Sequence, residues 1–449
     1  MRLLLALLLA CSTPEASPTP ATPARRAGVG QVQPGEDPGL IVMVVLDAVR
    51  ADHTSLCGYD RPTTPFLQSL EARRGASHTC GAHASASWTL PSHAGLFTGT
   101  SLLEHHYDSA VEPDWSELPT LAERLQTRGY RTVMVTANPV VANARLLTRG
   151  FELVRSAERL SDWRGPALAE QVAAALDEVG QAEKLFLFVN IMDAHDPYPA
   201  VPEGLDWIPA REALDLRVAD PEHDQPYHRF VDGRMPVENR VKFLRTLRDV
   251  YDYGVLEADR SLRRVVDLLQ DRKLANRGLR MVVTADHGEF LGEHDRLRHG
   301  GAVWEPVTHV PFLYLASTES PMPELRESAF SHLNAFDLLL TGALPERLHP
   351  SVAFSSASGR NYLPGANMVA VWAADNHKLV WDRGIQGRFD LTTDPDELHG
   401  KAPWKHPRMS DLNEVVERYL AHLEWRWSEK ANAETRSALD ALGYLSEDP

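Results

Sequence analysis

Four apolar runs in this chain end in the same manner. Residues 39–46 (GLIVMVVL) stop at Asp47, and residues 132–136 (TVMVT) run up to Asn138. Residues 185–191 (LFLFVNI) stop short of Asp193 and His195, and residues 281–284 (MVVT) stop just before Asp286 and His287. Their hydrophobicity is continuous, not alternating, which predicts strands covered on both faces, as in a parallel sheet. Helical periodicity lies between them, over residues 119–129, 166–178 and 249–271, and Gly129 after Arg128 reads as a helix end. Strand and helix in alternation predict an α/β fold: a doubly wound, mostly parallel sheet flanked by helices, with polar groups gathered along one edge. Residues 200–240 carry Pro, Asp and His in no regular order and read as a surface excursion over that edge. From about residue 351 the pattern changes. Short pieces at 369–372 and 377–381 predict a small antiparallel sheet, followed by an amphipathic helix near 410–430.

The first residues follow other rules. Met1-Arg2 precedes a leucine-rich stretch through Ala10 and then Cys11, a signal peptide too short to span a bilayer. Leu8-Leu9-Ala10-Cys11 resembles a bacterial lipobox, so Cys11 is the expected lipid attachment point and the expected location is periplasmic or on the outer cell surface. Residues 12–38 are rich in Pro, Ser, Thr and Ala and read as a flexible tether. The expected organisation is therefore leader 1–11, tether 12–38, catalytic α/β domain 39–350 and C-terminal subdomain 351–449. A formal net charge of -16 argues against a nucleic-acid partner. Of the three cysteines, Cys57 and Cys80 are free to pair in an oxidising compartment, and no Cys-x-x-Cys exists to hold zinc through thiolates.

Chemistry concentrates where the apolar runs end. An adjacent carboxylate and imidazole, Asp286-His287, offer one oxygen and one nitrogen ligand to a divalent metal, although the dipeptide alone equally fits a helix cap beside a surface histidine. Thr89 stands two residues before Pro91, at the start of a helix closed by Gly99. A hydroxyl there is either a cap or a nucleophile beside free N–H groups suited to an anion. Arg50 and Asp52 read as a structural ion pair or a cap near the first strand, His53, His83, His105, His106 and His294 as loop histidines, and Glu289 as a partner that orients His287.

These segments together resemble the sulfatase family within the alkaline phosphatase superfamily. The resemblance rests on residues 45–53 (VLDAVRADH), 61–65 (RPTTP), 89–99 (TLPSHAGLFTG), 129–132 (GYRT), 193–198 (DAHDPY), 286–294 (DHGEFLGEH), 299–300, 309–311 and 389–397 (FDLTTDPDE). It implies one or two divalent metals holding a tetrahedral anion at the sheet edge. Asp47, Asp286 and His287 would be metal ligands and Thr89 would take the nucleophile position. His195 and His299 would hold substrate oxygens or protonate the leaving group. His93 stands where sulfatases place the motif arginine, and Asn138 replaces a lysine-bearing segment, so both are candidate substrate contacts.

Three departures matter. Thr89 cannot become the formylglycine that sulfatases make from Cys or Ser, Ala48 replaces a second Asp, and the substrate-binding Lys is absent. The set Asp47, Thr89, Asp286 and His287 supplies three oxygens and one nitrogen, which favours zinc or manganese over calcium. A threonine nucleophile resembles that of phosphodiesterases and phosphoethanolamine transferases of the same superfamily. The reading is a metal-dependent hydrolase of a phosphate or sulfate ester, acting on a small anionic ester or a sulfated or phosphorylated glycan or lipid. A phosphotransferase and a catalytically silent surface binding protein are the alternatives.

Overall fold

The computed structural model describes residues 37–108, 113–202, 205, 207, 226–317, 322–355, 368–382, 384–401 and 406–423. The leader, nearly all of the tether and about half of the expected excursion lie outside the described residues.

The expected α/β sheet is present, in eight strands. They are β1 (Leu40–Leu46), β2 (Ala76–His83), β3 (Arg131–Thr136), β4 (Leu153–Ser156), β5 (Leu185–Ile191), β6 (Leu279–Thr284), β9 (His309–Ala316) and β10 (Phe330–Ser331), after the two-stranded β7 (Phe290–Leu291) and β8 (Leu297–Arg298). The order across the sheet is β10-β2-β9-β6-β1-β5-β3-β4. The four apolar runs are the contiguous centre, β6-β1-β5-β3, and every pairing among them is parallel. Every residue of β1, β5 and β6 is buried, as continuous hydrophobicity requires. The antiparallel element is β9, which lies between β6 and β2 and opposes both. Two reversals leave β2 running with β6, so the segment after β2, which carries Thr89, emerges at the same edge as Asp47 and Asp286.

Helices cover the faces, and the longest, Val237–Asp271, begins earlier than the apolar periodicity from 249 suggests. Its first turns carry Arg240, Lys242, Arg245 and Arg248, which hide the period until the packed half begins. The helix ahead of Gly129 is short, Leu121–Gln126, and Gly129 at φ 83 forms the turn into β3. Cys57 and Cys80 form a disulfide.

The C-terminal sheet is antiparallel as expected, β11 (Val352–Phe354), β12 (Met368–Trp372), β13 (His377–Asp382) and β14 (Ile385–Asp390), with the helix Met409–Leu423 against it. One buried cation joins it to the main domain. Lys378 of β13 is fully enclosed, with its Nζ 3.1 Å from Glu305 Oε1 and 2.6 Å from Glu397 Oε1. Trp372 Nε1 donates to the same Glu305 oxygen at 2.8 Å, and the His83 ring stacks on Trp372. Burial lifts the Glu397 carboxyl and works against Glu305 too, where Lys378, His83 and His309 together outweigh it and hold that carboxyl well below its ordinary range. Lys378→Ala should therefore lower unfolding stability by about 3 kcal/mol, because two carboxylates lose their shared cation in a dry site. A guanidinium denaturation midpoint measures it, and an unchanged midpoint would show the cluster to be solvated.

Candidate active site

Register places the two key carboxylates. Val45 of β1 lies opposite Thr284 of β6, so Asp47 and Asp286 leave adjacent parallel strands at the same level. Both are fully buried. Asp47 Oδ2 accepts from Asn138 Nδ2 at 2.9 Å and from Asn190 Nδ2 at 3.1 Å, while Asp286 Oδ1 accepts from the Ala48 and His287 amides at 3.3 and 3.0 Å. The remaining oxygens, Asp47 Oδ1 and Asp286 Oδ2, have no hydrogen-bond donor. His287 faces both. Its Nε2 is 3.7 Å from Asp47 Oδ1, 3.3 Å from Asp286 Oδ2 and 3.4 Å from Thr89 Oγ1.

The tautomer of His287 follows from its other nitrogen. Nδ1 lies 2.9 Å from the Gly288 carbonyl, which can only accept, so Nδ1 carries the proton and Nε2 presents a lone pair. Burial, opposed by the Asp47 charge, takes the imidazole down to about 4, so it is neutral at pH 7. Burial and then the Asp47 charge push Asp286 well above the ordinary carboxylate range. For Asp47 burial acts upward but is outweighed by His195, His287, His93 and the Asn138 amide.

These groups fit a divalent cation. Two buried acceptors without donors and one aimed lone pair meet a hydroxyl, and ligands about 2.0–2.1 Å from a tetrahedral ion stand roughly 3.3 Å apart. The observed separations from His287 Nε2, 3.3 to 3.7 Å, suit that arrangement. A second grouping, Asp375, His377 and His406, does not fit. There the Arg408 amide donates to His406 Nδ1, so Nε2 holds the proton and turns it toward Asp375, 3.3 Å away.

Thr89 is the first residue of the helix Thr89–Thr98, behind the N-cap Trp88, and its Oγ1 faces His287 Nε2. His299 stacks on His287 at 4.1 Å, and His195 meets His299 edge-on at 5.0 Å. The Gly300 amide donates to the Ser87 carbonyl at 2.8 Å, tying the His299 loop to the segment that presents Thr89. Arg298 Nη2 reaches Asp196 Oδ2 at 3.3 Å, joining the residue before His299 to the residue after His195. The expected gathering of Asp47, Thr89, Asp286, His287, His195 and His299 at one edge is thus what the structure shows.

Other residues sit differently from expectation. Asn138, expected to touch substrate, is committed at both ends: its Oδ1 caps Val140 N at 3.0 Å and its amide holds Asp47. His93 donates from Nδ1 to the Thr89 carbonyl at 3.0 Å and lies 3.4 Å from Asp286 Oδ2, with its ring edge-on to Phe97 and Phe188. That places it against Thr89, Asp286 and the core. Glu289 pairs with His299 Nδ1 at 3.2 Å, not with His287, whose Nδ1 is already used. His53, His83 and His105 are buried, His53 on Asp252 at 2.6 Å, so the loop reading fails for them. Arg50 does pair with Asp52, and also with Glu293, each at 2.7 Å. Asn190 went unnoticed, although an amide inside LFLFVNI is the one polar position in an otherwise apolar strand.

The sulfatase family model matches residues 40–342, which is most of the chain. The chain belongs to the sulfatase family. Human iduronate 2-sulfatase is 32% identical over 162 residues, which cover 34% of this chain and only 27% of that enzyme. Among solved structures, the phosphonate monoester hydrolase of Agrobacterium radiobacter superposes with a TM-score of 0.63 at 16% identity, covering 86% of this chain and 96% of that one. A 2-O GAG sulfatase, BT1596, gives 0.60 at 16% identity over 90% and 94%. At such identity these structures establish the shared fold. Within the sulfatase frame this chain keeps a buried three-residue metal-type grouping and presents threonine beside it.

The charge pattern has a measurable consequence. Asp286→Asn should raise the stability of metal-free protein by about 1 kcal/mol or more, seen as a higher melting temperature, because it removes a carboxyl whose ionisation burial and Asp47 make costly in the folded state. The same variant should lose the stabilisation that added zinc or manganese gives the parent. Calorimetric scans with and without metal test both signs, and equal metal-induced gains in parent and variant would remove Asp286 from the site.

Proposed function

We propose that this sulfatase-family protein is a metal-dependent hydrolase of a phosphate or sulfate ester, with the Thr89 hydroxyl as nucleophile. The observation that carries the reading is Thr89 Oγ1 at 3.4 Å from the lone pair of His287, beside two buried carboxylate oxygens that lack donors. Asp47, Asp286 and His287 would hold the cation with Thr89 beside them, a donor set that favours zinc or manganese over calcium. Bound there, a divalent cation would supply the charge that lowers the hydroxyl pKa and offsets negative charge on the ester.

The chain's own groups divide the remaining work. Thr89 forms the bond to phosphorus or sulfur as the bond to the ester oxygen breaks. His299, oriented by Glu289 at Nδ1, is placed to give that oxygen a proton, and burial and then His287 hold its pKa well below the ordinary imidazole value, so a proton it carries is readily given up. His195, whose Nε2 is buried without a partner, is placed to hold a substrate oxygen. Water then attacks the threonine ester and restores the hydroxyl. The helix Thr89–Thr98 begins at Thr89, and a helix N-terminus suits an anion there through its first amides, here those of Thr89 and Leu90 since Pro91 has none.

Export with lipid attachment at Cys11 completes the proposal, and the Cys57–Cys80 disulfide suits an oxidising compartment. Cys11→Ser should move the protein from the membrane fraction to the soluble fraction of the producing cell. Equal membrane partition of variant and parent would show that anchoring does not depend on Cys11.

Thr89 decides the chemistry. On a panel of aryl phosphate mono- and diesters, phosphonates and sulfates, Thr89→Ala should lower the best rate by about three orders of magnitude or more, and Thr89→Ser should retain measurable turnover. A Thr89→Ala enzyme as fast as its parent would exclude this nucleophile. A parent inactive on the whole panel that binds no metal would instead be a silent binding protein.

A further inference from the structure

The helix Val237–Asp271 starts beside the site. Leu244 lies against Gly292, where a Cβ would come within 2.5 Å of Leu244 Cδ2, and Arg240 pairs with Asp295, so its first turns flank the loop leading away from Glu289. Phe243 and Leu247 face inward and are buried. The opposite stripe, at intervals of four, four and three residues, reads Val237, Val241, Arg245, Arg248, and all four are exposed. Val237 is 75% exposed and Val241 67%, and Val231 at the end of the preceding helix Pro226–Val231 is 48% exposed. Residues 237–248 hold four cations, Arg240, Lys242, Arg245 and Arg248, against the single anion Glu238, in a chain whose net charge is -16.

Two demands meet on this face. The cations call for an anionic partner, and the valines call for one that also removes them from water. A sulfated glycan or a nucleic acid would answer the arginines and leave the valines wet. We propose that this face docks on the surface of a bilayer rich in anionic phospholipid, with Val231, Val237 and Val241 at the headgroup boundary and Lys242, Arg245 and Arg248 against lipid phosphates. The site edge would then lie beside the membrane. The docking is independent of the ester chemistry, since none of these residues belongs to the active site.

The test is sedimentation of the full chain with vesicles of phosphatidylglycerol mixed with phosphatidylcholine, and with phosphatidylcholine alone. All forms carry the same N-terminus, so differences between them belong to this face. The parent should prefer the anionic vesicles, and salt should weaken that preference. Arg245→Glu with Arg248→Glu should lower the partition coefficient at least about tenfold. Val237→Asp with Val241→Asp should lower it also, with both double variants melting at the parent's temperature and turning over soluble ester at the parent's rate. Equal binding to both vesicle types, or retention by either double variant, would overturn the proposal. So would binding to heparin that responds to the arginine changes alone, since that marks a polyanion site.

Discussion

Two carboxylates that cannot move apart govern the upper edge of this protein. Asp47 and Asp286 leave neighbouring parallel strands in register, and separating them would break the β1–β6 ladder at the centre of the sheet. Each has one oxygen satisfied by nearby N–H donors and one facing His287 without a donor. Charge so placed is costly unless a cation or a proton answers it. The surroundings hold the geometry open. Ala48, which occupies the position of a second family Asp, sits in the left-handed region at φ 60, a strained conformation for a residue with a Cβ. It is fixed there by the Tyr251 hydroxyl donating to its carbonyl at 2.8 Å and by its own amide donating to Asp286.

The small C-terminal sheet reaches this site through backbone contacts. Lys378 and Trp372 hold Glu305, which opens the helix Glu305–Thr308. Carbonyls of Pro306 and Val307 accept from the amides of Glu289 and Gly288, at 2.9 and 3.0 Å, next to His287. The approach is so close that a Cβ at position 288 would come within 2.1 Å of the Pro306 carbonyl oxygen, which leaves room only for glycine. The subdomain therefore braces the segment that bears His287 and the carboxylate that pairs with His299.

Much of this was legible in the chain itself. Strands buried on both faces need unbroken apolar runs, so β1, β3, β5 and β6 announce themselves, and polar residues at their ends fall on one edge because parallel strands share a direction. Asp47, Asp286 and His287 stand at those ends, while Thr89 opens the helix that follows β2. Strand β2, whose sequence ASHTCGAH alternates in no useful way, did not announce itself, and β4 and β10 are too short for periodicity to register.

What the sequence determined, then, was local: which segments are strands, and which side chains stand where the strands stop. Tertiary structure decided the partnerships. A parallel sheet brings together residues more than two hundred positions apart, and pairings such as Asn190 with Asp47, Glu289 with His299 and Lys378 with Glu305 depend on side chains meeting across elements. Asn138 had to be seen in place before it could be moved from substrate contact to support for Asp47. A hydrogen bond has a direction and a length of about 3 Å. Spacing along a chain fixes neither of these between distant segments, so only the assembled fold could say which nitrogen faces which oxygen.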